Sequence, residues 1–209
     1  MKTLIFATGN AHKTQEVRAI LKDLPLEIKS LKEAGIDVEI VEDGTSFEEN
    51  ALIKARTVYA ATGLPVLADD SGIEIDALDG APGVYSARFL GEDTPYTEKN
   101  ATILETLKPI PEELRGADFR CVMAAVLPMK KDGVTEAREI TEEGRIDGRI
   151  AHAPAGENGF GYDPIFYLPD RGCTSAELSP EEKNAISHRG LALEAMKKHL
   201  QAWLLEEDV

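Results

Sequence analysis

The start of the chain alternates an apolar run with a helical pattern. Residues 2–7 form an apolar run of strand length, and after a short polar stretch Val17, Ile20, Leu21 and Leu24 recur at helical spacing. Side chains at this spacing share one face of a helix, because an α-helix turns once every 3.6 residues. The pattern predicts a strand, a tight loop and a helix.

A second helix is predicted to start at Thr45 or Ser46 and to end near Gly63. Ser46 and Glu49 have the spacing of a capping box, in which each residue satisfies a main-chain N–H of the other. Residues 64–68 follow with the uninterrupted apolar character of a buried strand.

Two aspartates follow that apolar run. The run leads into Asp69, Asp70, Ser71 and Gly72, and residues 73–77 then alternate as a half-exposed strand would. This order predicts carboxylates at the end of a strand, where α/β enzymes commonly place their sites. A plain turn is an equally good interpretation, since Asp, Ser and Gly are favoured in turns. Neighbouring side chains on an extended segment point opposite ways, so one carboxylate is expected to face the site.

The second half of the chain predicts antiparallel strands between helices. A helix starts at Thr94–Pro95, and residues 119–127 and 135–141 are strands on either side of a hairpin turn at 131–133, with a third strand at 144–150. Two more helices follow, one opened by the capping pattern of residues 179–182 and one with an apolar face of Leu193, Met196, Leu200, Trp203 and Leu204.

No linker or internal repeat divides the sequence, so we expect a single domain over residues 1–209. The element order predicts a mixed α/β sheet with helices on both sides, parallel at its start and antiparallel in its middle.

With 43% hydrophobic and 29% charged residues, the composition is that of a globular protein. The apolar runs are far shorter than the ~20 residues of a membrane span, and a signal-peptide plan is lacking, so we expect a cytoplasmic protein with no membrane partner.

Charge restricts the partners further. The chain has 23 Lys and Arg residues against 38 Asp and Glu residues, a formal net charge of -15, which disfavours nucleic acids and anionic membranes as partners. A small anion would need a local cluster of cations, or a divalent metal between acidic protein and acidic ligand. The two cysteines lie far apart and have neither a disulfide framework nor the spacing of a zinc site.

The junction between the first strand and the first helix is a candidate anion site. There, free main-chain N–H groups and the positive end of the helix dipole can meet an anion, and a lysine adds its charge. Taken alone, an ordinary turn is the favoured interpretation, because the junction matches neither a Walker loop nor a dinucleotide pattern. Glu42 and Asp43 could supply a second carboxylate to a cation held by the aspartates, or they are only solvated. The junction consists of Thr8, Gly9, Asn10, Ala11, His12 and Lys13.

A glycine-rich loop at residues 156–164 carries two aromatic side chains. An ordinary surface loop poorly explains an aromatic residue between glycines. Phe160, between glycines, suggests a platform on which a base stacks, whereas Tyr162 is also well explained as a plug in the core. Beyond the loop, Lys183 lies in a capped helix. Residues 188–190, His-Arg-Gly, form a polar corner able to offer fixed donors to an oxo group, although a lone histidine is more often structural.

Together these segments resemble the inosine triphosphate pyrophosphatase family, which hydrolyses non-canonical purine nucleoside triphosphates. The resemblance implies an elongated α/β fold of two lobes, a nucleotide in the cleft between them, a homodimer and a magnesium requirement. It spans nearly the whole chain and rests on residues 8–13, 46–51 with Lys54 and Ala55, 68–72, 80–88, 160–164 and 187–190.

The resemblance also implies roles for individual residues. Residues 8–13 match the triphosphate loop, Asp70 matches the catalytic acid and a metal ligand, and Glu42 matches another magnesium ligand. Lys54 matches a basic catalytic residue near the phosphates. The chain departs from the pattern at residues 157–158, Glu-Asn, where many members carry small residues, and this bears on the flexibility of the loop. The positions that match substrate contacts are Ser71, Phe160, Gly161, Tyr162, Asp163, Lys183, His188 and Arg189.

These roles predict hydrolysis of ITP, dITP or XTP between the α and β phosphates, which releases the nucleoside monophosphate and pyrophosphate and cleanses the nucleotide pool. Glu42 and Asp70 would hold magnesium, and Asp70 would also orient or deprotonate the attacking water. Lys13, Lys54 and Lys183 would stabilise the phosphate oxygens.

Base choice is predicted at a different place. Phe160 would stack on the purine, and His188 and Arg189 would donate to its 6-oxo group, which adenine replaces with an amino group. A non-catalytic nucleotide sensor is one alternative, but it would not need the acidic pair of residues 69–70. A phosphotransferase is disfavoured, because the chain has no recognisable acceptor or adenosine triphosphate motif.

Overall fold

A computed structural model describes residues 1–131 and 134–206. Its strands are β1 (Lys2–Phe6), β2 (Leu26–Ser30), β3 (Val66–Ile75), β4 (Gly116–Lys131), β5 (Val134–Ile150), β6 (Phe166–Leu168) and β7 (Cys173–Thr174). Its α-helices are α1 (Ala11–Ile20), α2 (Phe47–Thr62), α3 (Tyr96–Thr106), α4 (Pro180–Ile186) and α5 (His188–Leu205). The strands of the described residues form a 7-stranded sheet in the order β2-β1-β3-β4-β5-β6-β7.

The sheet is mixed, as predicted. β1 is parallel to both of its neighbours, since Ile5 lies opposite Lys29 of β2 and Val66 of β3. β6 is antiparallel to β5, where Phe166 pairs with Ile150, and it is also antiparallel to β7. The predicted parallel start of the sheet is therefore confirmed.

The helix termini agree closely with the capping patterns of the sequence. At the start of α2, the Ser46 hydroxyl accepts the N–H of Glu49 at 3.1 Å, but the Glu49 carboxylate accepts from the N–H and hydroxyl of Thr45. The box thus closes one residue earlier than predicted. Gly63 ends α2 with φ 67°, a left-handed conformation that carries no Cβ penalty for glycine. Residues 179–182 form the complete predicted box at α4.

Three strands run further than predicted, among them β4, which covers Gly116–Lys131 where residues 119–127 were expected. β3 continues through Asp69–Asp70, so the aspartates lie inside a strand and not at its end. β5 is one strand over Val134–Ile150, where two were expected. Gly148 lies within β5 at a close approach to β6, since a Cβ there would lie 2.6 Å from the main-chain oxygen of Tyr167 and 2.7 Å from Cζ of Phe166. Of the turn predicted at 131–133, Lys131 is the last residue of β4, and residues 132 and 133 lie outside the described residues.

The chain divides into two compact units, each with its own apolar core. The first unit comprises residues 1–70, 121–144 and 189 onward, and the second comprises residues 71–120 and 145–188. Over the described ranges, no helix is long and apolar enough to cross a membrane. The first core includes Phe6, Leu67, Met123, Leu193, Met196, Leu200 and Trp203, which confirms the predicted apolar face of α5. The second core includes Ile73, Ile75, Ile103, Phe119, Ile165 and Phe166.

A buried arginine ties together separate parts of the second unit. The Arg115 guanidinium donates to the carbonyls of Leu107, Ile150 and Ala151 at 2.5, 2.9 and 2.7 Å. The residue is 1% exposed. A guanidinium presents its donors in a rigid fork, so one side chain joins the end of α3 to the end of β5.

We expect Arg115→Ala to lower the free energy of unfolding by about 3 kcal/mol, because buried carbonyls would lose their donor. Urea unfolding measures the loss. The matched control is Arg149→Ala on β5, whose side chain is 41% exposed in an ion pair with Glu112. Its cost should stay below about 1 kcal/mol. Equal losses in the two variants would contradict the joining role of Arg115.

Candidate active site

The predicted phosphate loop leads from β1 into α1, but the start of this helix is capped by its own loop. The Asn10 side-chain oxygen accepts the N–H groups of His12 at 2.9 Å and Lys13 at 3.2 Å. The Thr8 hydroxyl accepts the N–H of Asn10 at 3.1 Å. Two donors expected to meet an anion are therefore already used within the protein. Thr8, Gly9, Asn10 and Ala11 are among the residues that line a cavity of about 670 Å³.

Asp69 lies at the centre of a buried ion cluster in the first unit. Its Oδ2 is 3.0 Å from Nζ of Lys13 and 2.9 Å from Nη2 of Arg189. Arg189 also donates to Glu16 at 2.6 Å. The side chains of Asp69 and Arg189 are only 1% and 2% exposed. Burial alone would raise the pKa of Asp69, but the charges of Lys13, Arg189 and Lys54 hold it well below the usual range.

Asp70 contacts a different set of residues. Nζ of Lys54 lies 3.3 Å from Oδ1 of Asp70 and 2.7 Å from Oε2 of Glu42. Oδ2 of Asp70 accepts from the Asn50 side-chain amide at 3.2 Å. That amide is oriented, because its own oxygen accepts the N–H of Gly44 at 2.9 Å. Helix α2 thus supplies both partners of Asp70, from positions four residues apart.

The two aspartates have opposite pKa shifts. Burial raises the pKa of Asp70, and the charges of Lys54 and Lys13 offset this only in part. Burial alone would lower the pKa of Lys54, but Asp70, Asp69 and Glu42 raise it, so the ammonium stays charged. Asp69 is therefore a fixed anion, whereas Asp70 has the greater tendency to accept a proton.

Glu42 and Asp70 fit a magnesium site in the chemistry of their ligand atoms. Both offer carboxylate oxygens, and their shared contact with Lys54 shows that they converge on one point. Magnesium typically takes one or two protein carboxylates and completes its shell with water and substrate phosphates. Among the residues that the structure describes, no group of three or more His, Cys, Asp or Glu side chains could hold a metal. A magnesium ion here would therefore need further oxygens from water and from the phosphates of a bound substrate.

Phe160 and Lys183 meet in the second unit. Nζ of Lys183 lies 4.9 Å from the centre of the Phe160 ring and 2.6 Å from Oδ2 of Asp163. The same oxygen accepts the N–H of Phe160 at 2.8 Å, and Oδ1 of Asp163 accepts the Ser175 hydroxyl at 3.1 Å. Lys183 was expected among the phosphate-binding lysines. The structure places it beside the predicted base platform.

Tyr162 and His188 are both buried. The Tyr162 hydroxyl donates to the carbonyl of Ser86 at 2.7 Å, and its ring packs edge-on against Tyr96. This arrangement supports the interpretation of Tyr162 as a core plug. The His188 ring stacks on Phe119 with ring centres 4.7 Å apart.

The structure pairs Arg189, the predicted base donor, with two carboxylates. It was predicted to donate to a base, but its guanidinium lies against Asp69 and Glu16. A base could recruit it only in competition with those carboxylates.

Two further predicted substrate contacts lie elsewhere. Ser71 follows directly in β3 after Asp70 and is half-buried. Gly161 has φ 71°, and its carbonyl accepts from the side-chain amide of Asn100.

Three contributing residues were not predicted: Asn50, Glu16 and Ser175. A signal exists for Asn50, since it lies four residues before Lys54 on the buried face of α2. Two polar residues at this spacing on an otherwise apolar face indicate a polar function. Glu16 and Ser175 have no such signal, because their partners are distant in the sequence.

The sequence of the chain also matches a known protein family. The model of the Ham1 family matches residues 4–199. The chain therefore belongs to the Ham1 family. The family expected from the motifs is confirmed, and with it the enzyme class, a nucleoside triphosphate pyrophosphatase.

Individual relatives match along nearly their full lengths. The dITP/XTP pyrophosphatase of Clostridium perfringens is 45% identical over 210 residues, covering 98% of this chain and 100% of the relative. That of Geobacter sulfurreducens is 48% identical over 200 residues, covering 96% and 97%. A solved structure of a HAM1 protein from Coxiella burnetii is 42% identical with a TM-score of 0.83, covering 97% of this chain and 100% of that one. The predicted α/β fold class is confirmed by this likeness.

We expect Arg189→Ala to lower the free energy of unfolding by about 3 kcal/mol or more, because Asp69 would stay buried without its guanidinium partner. Urea unfolding measures the loss. Adding Asp69→Asn should recover part of it by removing the buried charge. The control is Arg56→Ala, whose pair with Glu139 is 54% and 42% exposed, and which should cost at most about 1 kcal/mol. A loss no larger than this control would contradict the buried ion cluster.

Proposed function

We propose that this chain is a magnesium-dependent hydrolase that converts dITP, XTP and ITP to the nucleoside monophosphate and pyrophosphate, clearing non-canonical purines from the nucleotide pool. Family membership and the names of the relatives support the substrate class. One observation carries the chemistry: Lys54 contacts both Glu42 and Asp70. Carboxylates suited to a metal and a cation suited to a phosphate thus lie together.

Asp70 is the proposed acceptor of a proton from the attacking water. A positioned carboxylate can take a proton from a water that attacks in the transition state. Asn50 holds one carboxylate oxygen and so orients the group. As the water oxygen bonds to phosphorus, the α–β phosphoanhydride bond breaks, pyrophosphate leaves and the water proton passes to Asp70. A magnesium ion held by Glu42 and Asp70 would neutralise phosphate charge during in-line attack.

Lys13 and Lys54 are the proposed phosphate ligands. Each already contacts an aspartate, Asp69 in one case and Asp70 in the other. The lysines therefore leave little net positive charge for a triphosphate. A substrate that arrives as its magnesium complex would restore the charge balance, which favours the metal complex as the true substrate.

The purine is proposed to stack on Phe160, whose ring lies beside the Lys183 ammonium. His188 and Arg189 remain the proposed donors to the 6-oxo group, with Arg189 exchanging a carboxylate contact for the base. An enzyme that hydrogen-bonds a substrate group rejects analogues lacking it, because its own polar groups are then left unpaired.

The enzyme is further proposed to be cytoplasmic and to act as a homodimer, the second of which the resemblance implies. Light scattering after gel filtration measures the mass in solution.

Product analysis separates the proposed function from the alternatives. Pyrophosphate with monophosphate indicates the hydrolase, no turnover indicates a nucleotide sensor, and a phosphorylated acceptor indicates a phosphotransferase.

Asp70→Asn should lower turnover of dITP by a factor of about 1,000 or more, because the amide keeps the shape but cannot hold the metal or take the proton. Pyrophosphate and monophosphate release are measured together, with a melting curve to show that the variant folds. Asp23→Asn is the control, since Asp23 is 63% exposed. Near-normal turnover in Asp70→Asn would remove this residue from the catalytic role.

Chelation should abolish activity, and added magnesium should restore it. Chelator already saturated with magnesium is the control and should have no effect. Glu42→Gln should raise the magnesium concentration needed for half-maximal activity by about 10-fold or more, because one charged ligand is lost. Full activity in metal-free buffer would favour a mechanism built on lysines alone.

A further inference from the structure

The loop that carries Phe160 is fastened to another segment of the same unit. The main-chain N–H of Asn158 donates to the carbonyl of Ala176 at 2.9 Å. The Asn158 side-chain amide donates to the carbonyl of Leu178, also at 2.9 Å. Asn158 is therefore held through its backbone and its side chain at once, two residues before Phe160.

The segment that receives these bonds is itself well ordered by hydrogen bonds. The N–H of Thr174 donates to the Glu177 carboxylate at 2.7 Å, and the Thr174 hydroxyl donates to the carbonyl of Ala155 at 2.8 Å. Gly156 lies so close that a Cβ there would be 2.3 Å from the carbonyl carbon of Ala176. The loop and residues 174–178 thus contact each other backbone to backbone.

The same segment also holds the far side of the loop. The Ser175 hydroxyl donates to Asp163, and the other oxygen of Asp163 accepts from the Phe160 N–H and from Lys183. Phe160 therefore lies between two anchors, Asn158 before it and Asp163 after it. Both anchors rest on residues 174–178.

We propose that Asn158 is a positioning residue for base recognition, which holds the loop so that Phe160 and Lys183 are arranged before a purine binds. This inference rests on the proposed function. A preformed loop lowers the ordering cost of binding. Its loss is thus expected to weaken binding of the base and to leave the hydrolytic step nearly unchanged.

The test compares Asn158→Ala with Glu157→Ala, a matched truncation of the neighbouring exposed side chain. We expect Asn158→Ala to raise KM for dITP about fivefold, the equivalent of one lost hydrogen bond, with kcat changed less than twofold. Inhibition by inosine monophosphate should weaken by the same factor. Inhibition by inorganic pyrophosphate, which has no base, should stay the same. Glu157→Ala should change none of these values.

We call the attachment of the Phe160 loop to residues 174–178 through Asn158 the lock. Hydrogen exchange of the peptide that covers residues 156–163 tests the lock without measuring turnover. Exchange should become faster in Asn158→Ala and in Ser175→Ala, but not in Glu157→Ala. Unchanged exchange in Asn158→Ala would overturn the lock. Faster exchange with unchanged inhibition, or with equal weakening for monophosphate and pyrophosphate, would overturn its role in base recognition.

Failure of the proposed function gives a different result. In that case the unmodified protein releases no pyrophosphate from dITP or XTP. The lock is then judged by exchange, and base recognition is judged by calorimetric binding of inosine monophosphate to the unmodified protein and to Asn158→Ala. Equal affinities would overturn the inference.

Discussion

A carboxylate that stays ionised inside a β-strand constrains most of the first unit. Burying the charge of Asp69 costs several kcal/mol unless counter-charges reach it. Those counter-charges come from Lys13 on α1 and Arg189 on α5. Two helices from opposite ends of the chain must therefore approach the same point of β3. The ion cluster connects elements that no local sequence pattern relates.

The strand geometry then determines the surroundings of the next residue. Successive side chains of a strand point to opposite faces, and Asp70 accordingly contacts Asn50 and Lys54 of α2. Two adjacent carboxylates thus acquire different proton affinities, which is a common way to divide roles within a site. The second unit uses a related device, since Asp163 and Lys183 form a buried pair that holds the Phe160 loop.

Much of this arrangement can be predicted from the sequence where the signal is local. The caps of α2 and α4 and the apolar face of α5 follow from spacings of three or four residues. Sequence reasoning fails where a distant partner decides. The turn propensity of Asp69–Asp70 and the residues after it is overridden by lysines from α1 and α2. Lys183 joins Phe160 through Asp163, a contact that no spacing along the chain indicates.

The contact between Gly44 and Asn50 affects how sequence variants of this protein should be interpreted. A Cβ at residue 44 would lie 2.7 Å from the Asn50 side-chain oxygen. Any larger residue would displace the amide that orients Asp70. A survey that sorts variants by secondary structure would class a change at Gly44 as a harmless loop polymorphism. Its effect would reach the Asp70 carboxylate, 26 positions further along the chain.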